Sequence, residues 1–144
     1  MVAWIPPKSP YDLLQERFWP DGWKILMVCL MLNQTSRKQV EPMVAEFFDL
    51  FPTPESVVNG DEDALYSLLR PLGLVNRRIK TVKRFSEEFV TKRWATAKEL
   101  YGCGKYADDA YRIFIKGEWS EVEPNDHALN DYHNFLVQSG QLQL

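Results

Sequence analysis

The sequence predicts an all-α protein of about nine or ten short helices. Three observations carry that expectation. No segment of the 144 residues sustains the apolar–polar alternation of a half-buried strand. Helix-start signals recur along the chain, with Ser, Thr or Asp standing just before a proline or an apolar-periodic stretch. A content of 45% hydrophobic and 26% charged residues suits a packed core under a solvated surface.

The elements follow in order. Ser9 is expected to cap the first helix, with Pro10 at its first position and Asp12 completing a capping box. "GWKILMVCLML" is apolar nearly all round, the pattern of a buried central helix. Ser36 can cap the next helix, which turns Val40, Val44, Phe47 and Phe48 to the core and is expected to kink at Pro42. Thr53 with Pro54 opens a short helix, and Asp61 caps "EDALYSLLR" with Leu65, Leu68 and Leu69 at helical spacing. Gly73 ends that helix and Asn76 can cap another, burying Ile79, Val82, Phe85 and Phe89 and exposing its basic residues. A short helix at "TAKEL" precedes a glycine turn, and "KYADDAYRIF" and "DHALNDYHNFLV" close the chain as helices.

The length suits one domain over residues 1–144, without repeat or low-complexity tract. The longest apolar run, Ile25 to Leu32, falls far short of the ~20 residues of a membrane span, so no membrane partner is expected. "MVAWIPPKSP" lacks the basic-then-apolar order of a signal peptide. Cys29 and Cys103 form neither a disulfide framework nor a zinc motif, which fits a reducing compartment. His127 and His133 stand six apart, the wrong spacing for one metal on one helix face. A net charge of −3 argues mildly against nucleic acid, but "NRRIKTVKRF" concentrates Arg77, Arg78, Lys80, Lys83 and Arg84 into a local basic stretch.

The stretch "LYGCGKYADDAYRIF" combines a tight turn with a helix start. Gly102 and Gly104 permit positive φ and close approach of another backbone. The helix beyond presents free N–H groups and the positive end of its dipole, where Lys105 adds charge suited to a phosphate. Taken alone, the glycines read first as a helix C-cap followed by a loop. About one helix and a loop further on, Asp126 stands at a helix start after Pro124. Taken alone, it is an ordinary N-cap.

Together, "LYGCGKYADDAYRIF" and "EPNDHALNDYH" resemble the helix-hairpin-helix DNA glycosylases, whose hairpin is followed by an essential aspartate. "WIPPKSPYDLLQE", "DGWKILMVCLMLNQTS", "LRPLGLVNRRIKTVKRFSEEFVTK" and "LYGCGKYADDAYRIFIKGEW" extend the resemblance to the catalytic domains of the methyl-CpG-binding-domain mismatch glycosylases. The resemblance implies a two-lobed helical fold with its active site in the cleft between lobes. It implies excision of thymine or uracil mispaired with guanine, in duplex DNA, by a nuclear monomer. The alternatives are a non-catalytic helix-hairpin-helix DNA-binding module and a glycosylase for another damaged base.

The same resemblance assigns roles. Asp126 matches the catalytic aspartate, whose carboxylate would stabilise the positive sugar and orient water. Gln15 and Tyr106 match base-pocket residues; by pattern alone Gln15 reads as a solvent-facing helix residue. Gln34 would plug the gap left by the flipped base, Leu74 would wedge beside it, and the backbone at Leu72 and Gly73 would face the widowed guanine. Gly102, Gly104 and Lys105 would grip phosphate. Bifunctional members carry a lysine where Tyr106 stands, so no lyase activity is expected. Some relatives hold an iron–sulfur cluster on four C-terminal cysteines, and this sequence has no cysteine after Cys103, so no cluster is expected. No cofactor is expected, beyond a potassium or sodium ion that hairpin carbonyls hold in relatives. Two positions depart from the vertebrate pattern: Gln34 replaces arginine and Ala128 replaces lysine, which bears on guanine-opposite preference and on the choice among pyrimidines.

Overall fold

A computed structural model describes residues 3–140. They form eight α-helices: α1 (Leu14–Phe18), α2 (Gly22–Leu32), α3 (Arg37–Leu50), α4 (Pro54–Val58), α5 (Glu62–Leu69), α6 (Val75–Thr91), α7 (Lys105–Tyr111) and α8 (His127–Gln138). Short 3₁₀ turns at Arg70–Leu72, Ala97–Glu99 and Trp119–Glu121, and a π turn at Arg112–Lys116, complete the helical structure. The described residues contain no strand, and none of their helices is long and apolar enough to cross a membrane.

The central helix is the one the sequence singles out. Asp21 caps α2 by accepting the Lys24 N–H at 3.0 Å. Trp23 and every residue from Ile25 to Met31 are buried, because α2 is packed by α1, α3, α6 and α7 together. Trp23 donates its indole N–H to Ser86 of α6 at 3.0 Å, which satisfies a polar atom that burial would otherwise strand. One lobe gathers α3 to α6, with α4 and α5 packed on α6. The other gathers α1, α7 and α8. α2 belongs to both, and the core runs through them without a break.

The N-terminal stretch ties the second lobe. Trp4 donates its indole N–H to the Ile113 carbonyl at 2.9 Å, and the Tyr132 hydroxyl donates to Pro7 O at 2.6 Å. Tyr132 also packs its ring on Phe114, 4.8 Å between centroids, which seats α8 against the π turn.

Several local expectations are corrected. The first helix begins at Leu14, not at Pro10, because Asp12 takes a left-handed φ of 48° and breaks the path. The capping group is Glu16, whose carboxylate accepts the N–H groups of Ser9 and Leu13 and the Ser9 hydroxyl within 2.8 Å. Asn76 caps nothing: α6 starts one residue earlier, behind Leu74 at φ 51°. α3 runs unbroken from Arg37 to Leu50 with Pro42 on its exposed side. On α6, Val82 and Phe85 are buried while Ile79 and Phe89 are only partly covered, and one basic residue, Arg78, is buried rather than exposed.

Candidate active site

Between the lobes lies an open cavity of about 870 Å³. The start of α1 and the start of α8 both line it, together with the turn after α2 and Tyr106 near the start of α7. Gln15, Gln34, Tyr106 and Asp126 all line it, together with Arg37, His127 and Ala128. Residues distant in sequence are thus collected by the packing of α1 and α7 on α2.

Gln15 is buried at 2% exposure, not solvent-facing as its local pattern suggests. α1 is only five residues long, so its face is set by the neighbours it meets rather than by its own periodicity. The Gln15 side-chain N–H donates to the Tyr106 hydroxyl at 2.7 Å and to Cys29 Sγ at 3.5 Å. Burial, with the neighbouring Asp126 carboxylate adding to it, drives the Tyr106 phenol far above its usual range, so it stays a neutral hydroxyl. Burial likewise pushes the Cys29 thiol up to about 12. Cys29 is therefore a buried thiol behind Gln15 and not a nucleophile.

Asp126 caps α8. Its Oδ2 accepts the Leu129 N–H at 3.0 Å, and Oδ1 has no hydrogen-bond partner among the described residues. Asn130 holds the turn from behind, donating to Pro124 O at 2.9 Å and Asp126 O at 3.1 Å. The carboxylate is thus fixed by the helix start through one oxygen, leaving the other for a substrate or water.

A second, smaller cavity of about 110 Å³ adjoins the first, Asn33 and Gln34 lining both. Leu74, Arg77, Arg78 and Gly102 are among its other walls. Gln34 and Leu74 therefore flank one notch. Both are exposed, and both take left-handed φ, 60° and 51°, which side chains rarely adopt. Leu72 differs: its side chain is buried at 4%, and its carbonyl and that of Gly73 accept hydrogen bonds from Arg78.

The hairpin glycines differ from one another. Gly102 has φ +83°, and a Cβ there would stand 2.7 Å from the Thr81 methyl. Gly104 has an ordinary φ of −113° and open space where its Cβ would be, so only the first needs glycine for the fold. Lys105 is already engaged: its ammonium meets Asp109 Oδ2 at 2.5 Å and Glu123 O at 2.7 Å, outside the cavity of Asp126. No lysine lines that cavity among the described residues.

Arg78 is the residue that sequence reasoning misplaced. Counted among an exposed basic cluster, it lies 8% exposed and bonds carbonyls at both ends of the notch. Burial lowers its pKa. A visible signal was its position three residues before Thr81 and four before Val82, on the stripe of α6 that faces α2.

Residues 27–137 match the family model for the HhH-GPD superfamily base excision DNA repair protein. The chain is 41% identical over 134 residues to a methyl-CpG-binding domain protein 4-like protein of Arabidopsis thaliana, covering 93% of this chain and 30% of that protein. It is 30% identical over 94 residues to a thymine/uracil-DNA glycosylase of Pyrobaculum aerophilum, covering 60% and 41%. A thermostable thymine-DNA glycosylase of known structure shares the fold, with a TM-score of 0.66 at 21% identity over 74% of this chain and 52% of that one. The chain spans half or less of the length of the curated relatives it matches.

Proposed function

The chain belongs to the HhH-GPD superfamily of base excision DNA repair proteins, and from that premise we propose that it is a monofunctional DNA glycosylase acting on thymine or uracil mispaired with guanine. The observation that carries the reading is the convergence of Gln15, Tyr106 and the free oxygen of Asp126 on one cavity between the lobes. The names of the relatives, which include thymine and uracil glycosylases, support the same substrate class.

The chemistry follows from the groups present. A base turned out of the duplex enters the cavity and stacks on the Tyr106 ring, with the Gln15 amide and the Tyr106 hydroxyl offered to its edge. As the C1′–N1 bond breaks, the electron pair leaves with the base and the sugar becomes cationic. The Asp126 carboxylate faces that charge and accepts a proton from the water that adds to C1′. Asp126 gives that proton up to solvent, and the departing base anion takes one from solvent, so the products are a free neutral base and an intact abasic strand. Lys105 is paired on another surface and no lysine among the described residues lines the cavity, which supports hydrolysis over lyase chemistry. The reaction asks for no redox group. A potassium or sodium ion would be held by carbonyls of the Leu100–Gly104 turn, and among the described residues no group of three metal-binding side chains stands together. A monomer working on nuclear DNA goes with this reading.

Duplexes carrying G·T, G·U and G·C pairs test it. Strand breaks are expected only after hot alkali, and only for G·T and G·U. Breaks without alkali would refute the monofunctional assignment, and intact strands throughout would refute catalysis.

The hairpin glycines give a paired prediction. Gly102→Ala should destabilise the fold by about 1–3 kcal/mol, from left-handed strain and the clash with Thr81. Gly104→Ala should melt with wild type yet bind duplex several-fold more weakly, because its open side is where a phosphate would approach. Thermal melting and a binding titration separate the two.

A further inference from the structure

Resting on the glycosylase reading above, we propose that Arg78 is a positioning residue that locks the two turns carrying Gln34 and Leu74 into one register, so that plug and wedge enter the duplex as a unit. Arg78 lies in the first turn of α6, directly behind the notch those two side chains flank. Its guanidinium divides between two groups of carbonyls. Nη1 donates to Leu30 O at 3.3 Å and Met31 O at 3.4 Å, and Nη2 to Asn33 O at 3.0 Å, all at the end of α2 just before Gln34. Nε donates to Gly73 O at 2.7 Å and Nη2 to Leu72 O at 3.4 Å, just before Leu74.

The end of α2 leaves room for such a partner. Its last carbonyls are met only by the turn that follows, Leu30 O by the Asn33 N–H at 3.3 Å, Met31 O by the Thr35 hydroxyl and Leu32 O by the Thr35 N–H at 3.2 Å, while Asn33 O takes Arg78, and the last turn holds no basic residue of its own. A cation is favoured there by the helix dipole. No carboxylate lies within ion-pair distance of Arg78 among the described residues, so backbone dipoles alone balance its charge. A planar fork with five donors can reach two separate turns at once; a lysine ammonium projects its three protons from one atom and cannot span them in the same way.

The second observation is the strain on both sides. Gln34 and Leu74 each hold a left-handed φ with a side chain that disfavours it. Such conformations persist where the surroundings over-determine them. Arg78 bonds the residue before Gln34 and the residue before Leu74, which is the over-determination these turns require.

The test is a double-mutant cycle on the full chain, using Arg78→Met, Arg78→Lys and Leu74→Ala alone and in combination. A duplex with 2-aminopurine beside a G·U pair reports unstacking by fluorescence, and single-turnover excision reports chemistry. Both Arg78 variants are expected to lose the fluorescence rise and about 100-fold in excision rate, as misplacement of a reacting group by about 1 Å does. In combination with Leu74→Ala the losses should not multiply, because Arg78 acts through Leu74. Multiplying losses, wild-type flipping in Arg78→Met, or loss of folding in both Arg78 variants would each overturn the proposal. A wild-type protein that excises nothing would overturn the glycosylase reading itself, and that result is read from the wild type alone.

Discussion

Asp126→Asn is expected to abolish base excision while leaving the fold and duplex binding in place. Asparagine caps a helix about as well as aspartate, so the hydrogen bond to Leu129 N–H and the start of α8 survive. The brace from Asn130 is made by the backbone of Asp126 and does not depend on its side chain. What the substitution removes is the negative charge at the mouth of the cavity. Electrostatic stabilisation of a charged transition state is commonly the largest single contribution to catalysis, and with the proton acceptor also lost a fall of about 10³-fold or more follows. Single-turnover excision on a G·U duplex measures it, with thermal melting and a binding titration as controls. A variant that excises within about tenfold of wild type would remove Asp126 from the mechanism.

Tyr106→Lys is expected to convert the chain from a hydrolase to a lyase. Tyr106 is held beside Gln15 and Cys29 at a partly buried position in the cavity that Asp126 also lines. An amine placed there loses solvation, which lowers its pKa and raises the fraction of neutral nucleophile at pH 7. It could then attack C1′ in place of water, forming a Schiff base whose collapse breaks the strand. Strand breaks without alkali, and a covalent adduct trapped by borohydride, are the expected readouts. The overall excision rate should fall about tenfold or more, because the ring that stacks on the base is gone. Lys105→Ala should leave excision chemistry intact, since that ammonium is bound to Asp109 and Glu123. An adduct that requires Lys105 would refute this view of the cavity.

The helical architecture was legible from local signals. The caps Ser36, Thr53 and Asp61 operate where the pattern placed them, because an N-cap depends on a side chain and a backbone group a few residues apart. α2 was legible for a similar reason: a helix apolar on every face has to be surrounded. Local pattern failed where a short element borrows its partner from afar. Ser9 reads as a cap, but Asp12 breaks the helix and the carboxylate of Glu16 takes over the capping. Lys105 reads as free for a phosphate, but its own helix brings Asp109 to it one turn on, and the loop before α8 supplies a carbonyl. Arg78 reads as one of five exposed bases because neighbouring charges in a sequence look alike, whatever face of the helix each occupies.

By itself the sequence determined the helical class, the central helix and the family to which the chain belongs, since periodicity, caps and ordered motifs are properties of neighbouring residues. The tertiary structure alone decided which side chains share a cavity. Gln15, Tyr106 and Asp126 stand far apart in the chain, and they meet because α1 and α7 both pack on α2 and the start of α8 lines the same cavity. It also decided that one buried guanidinium would link the turns of Gln34 and Leu74. The physical reason is the same in both cases. A buried polar group must find its partners wherever the packed core brings carbonyls and hydroxyls to it, and that address is set by the assembled fold rather than by spacing along the chain.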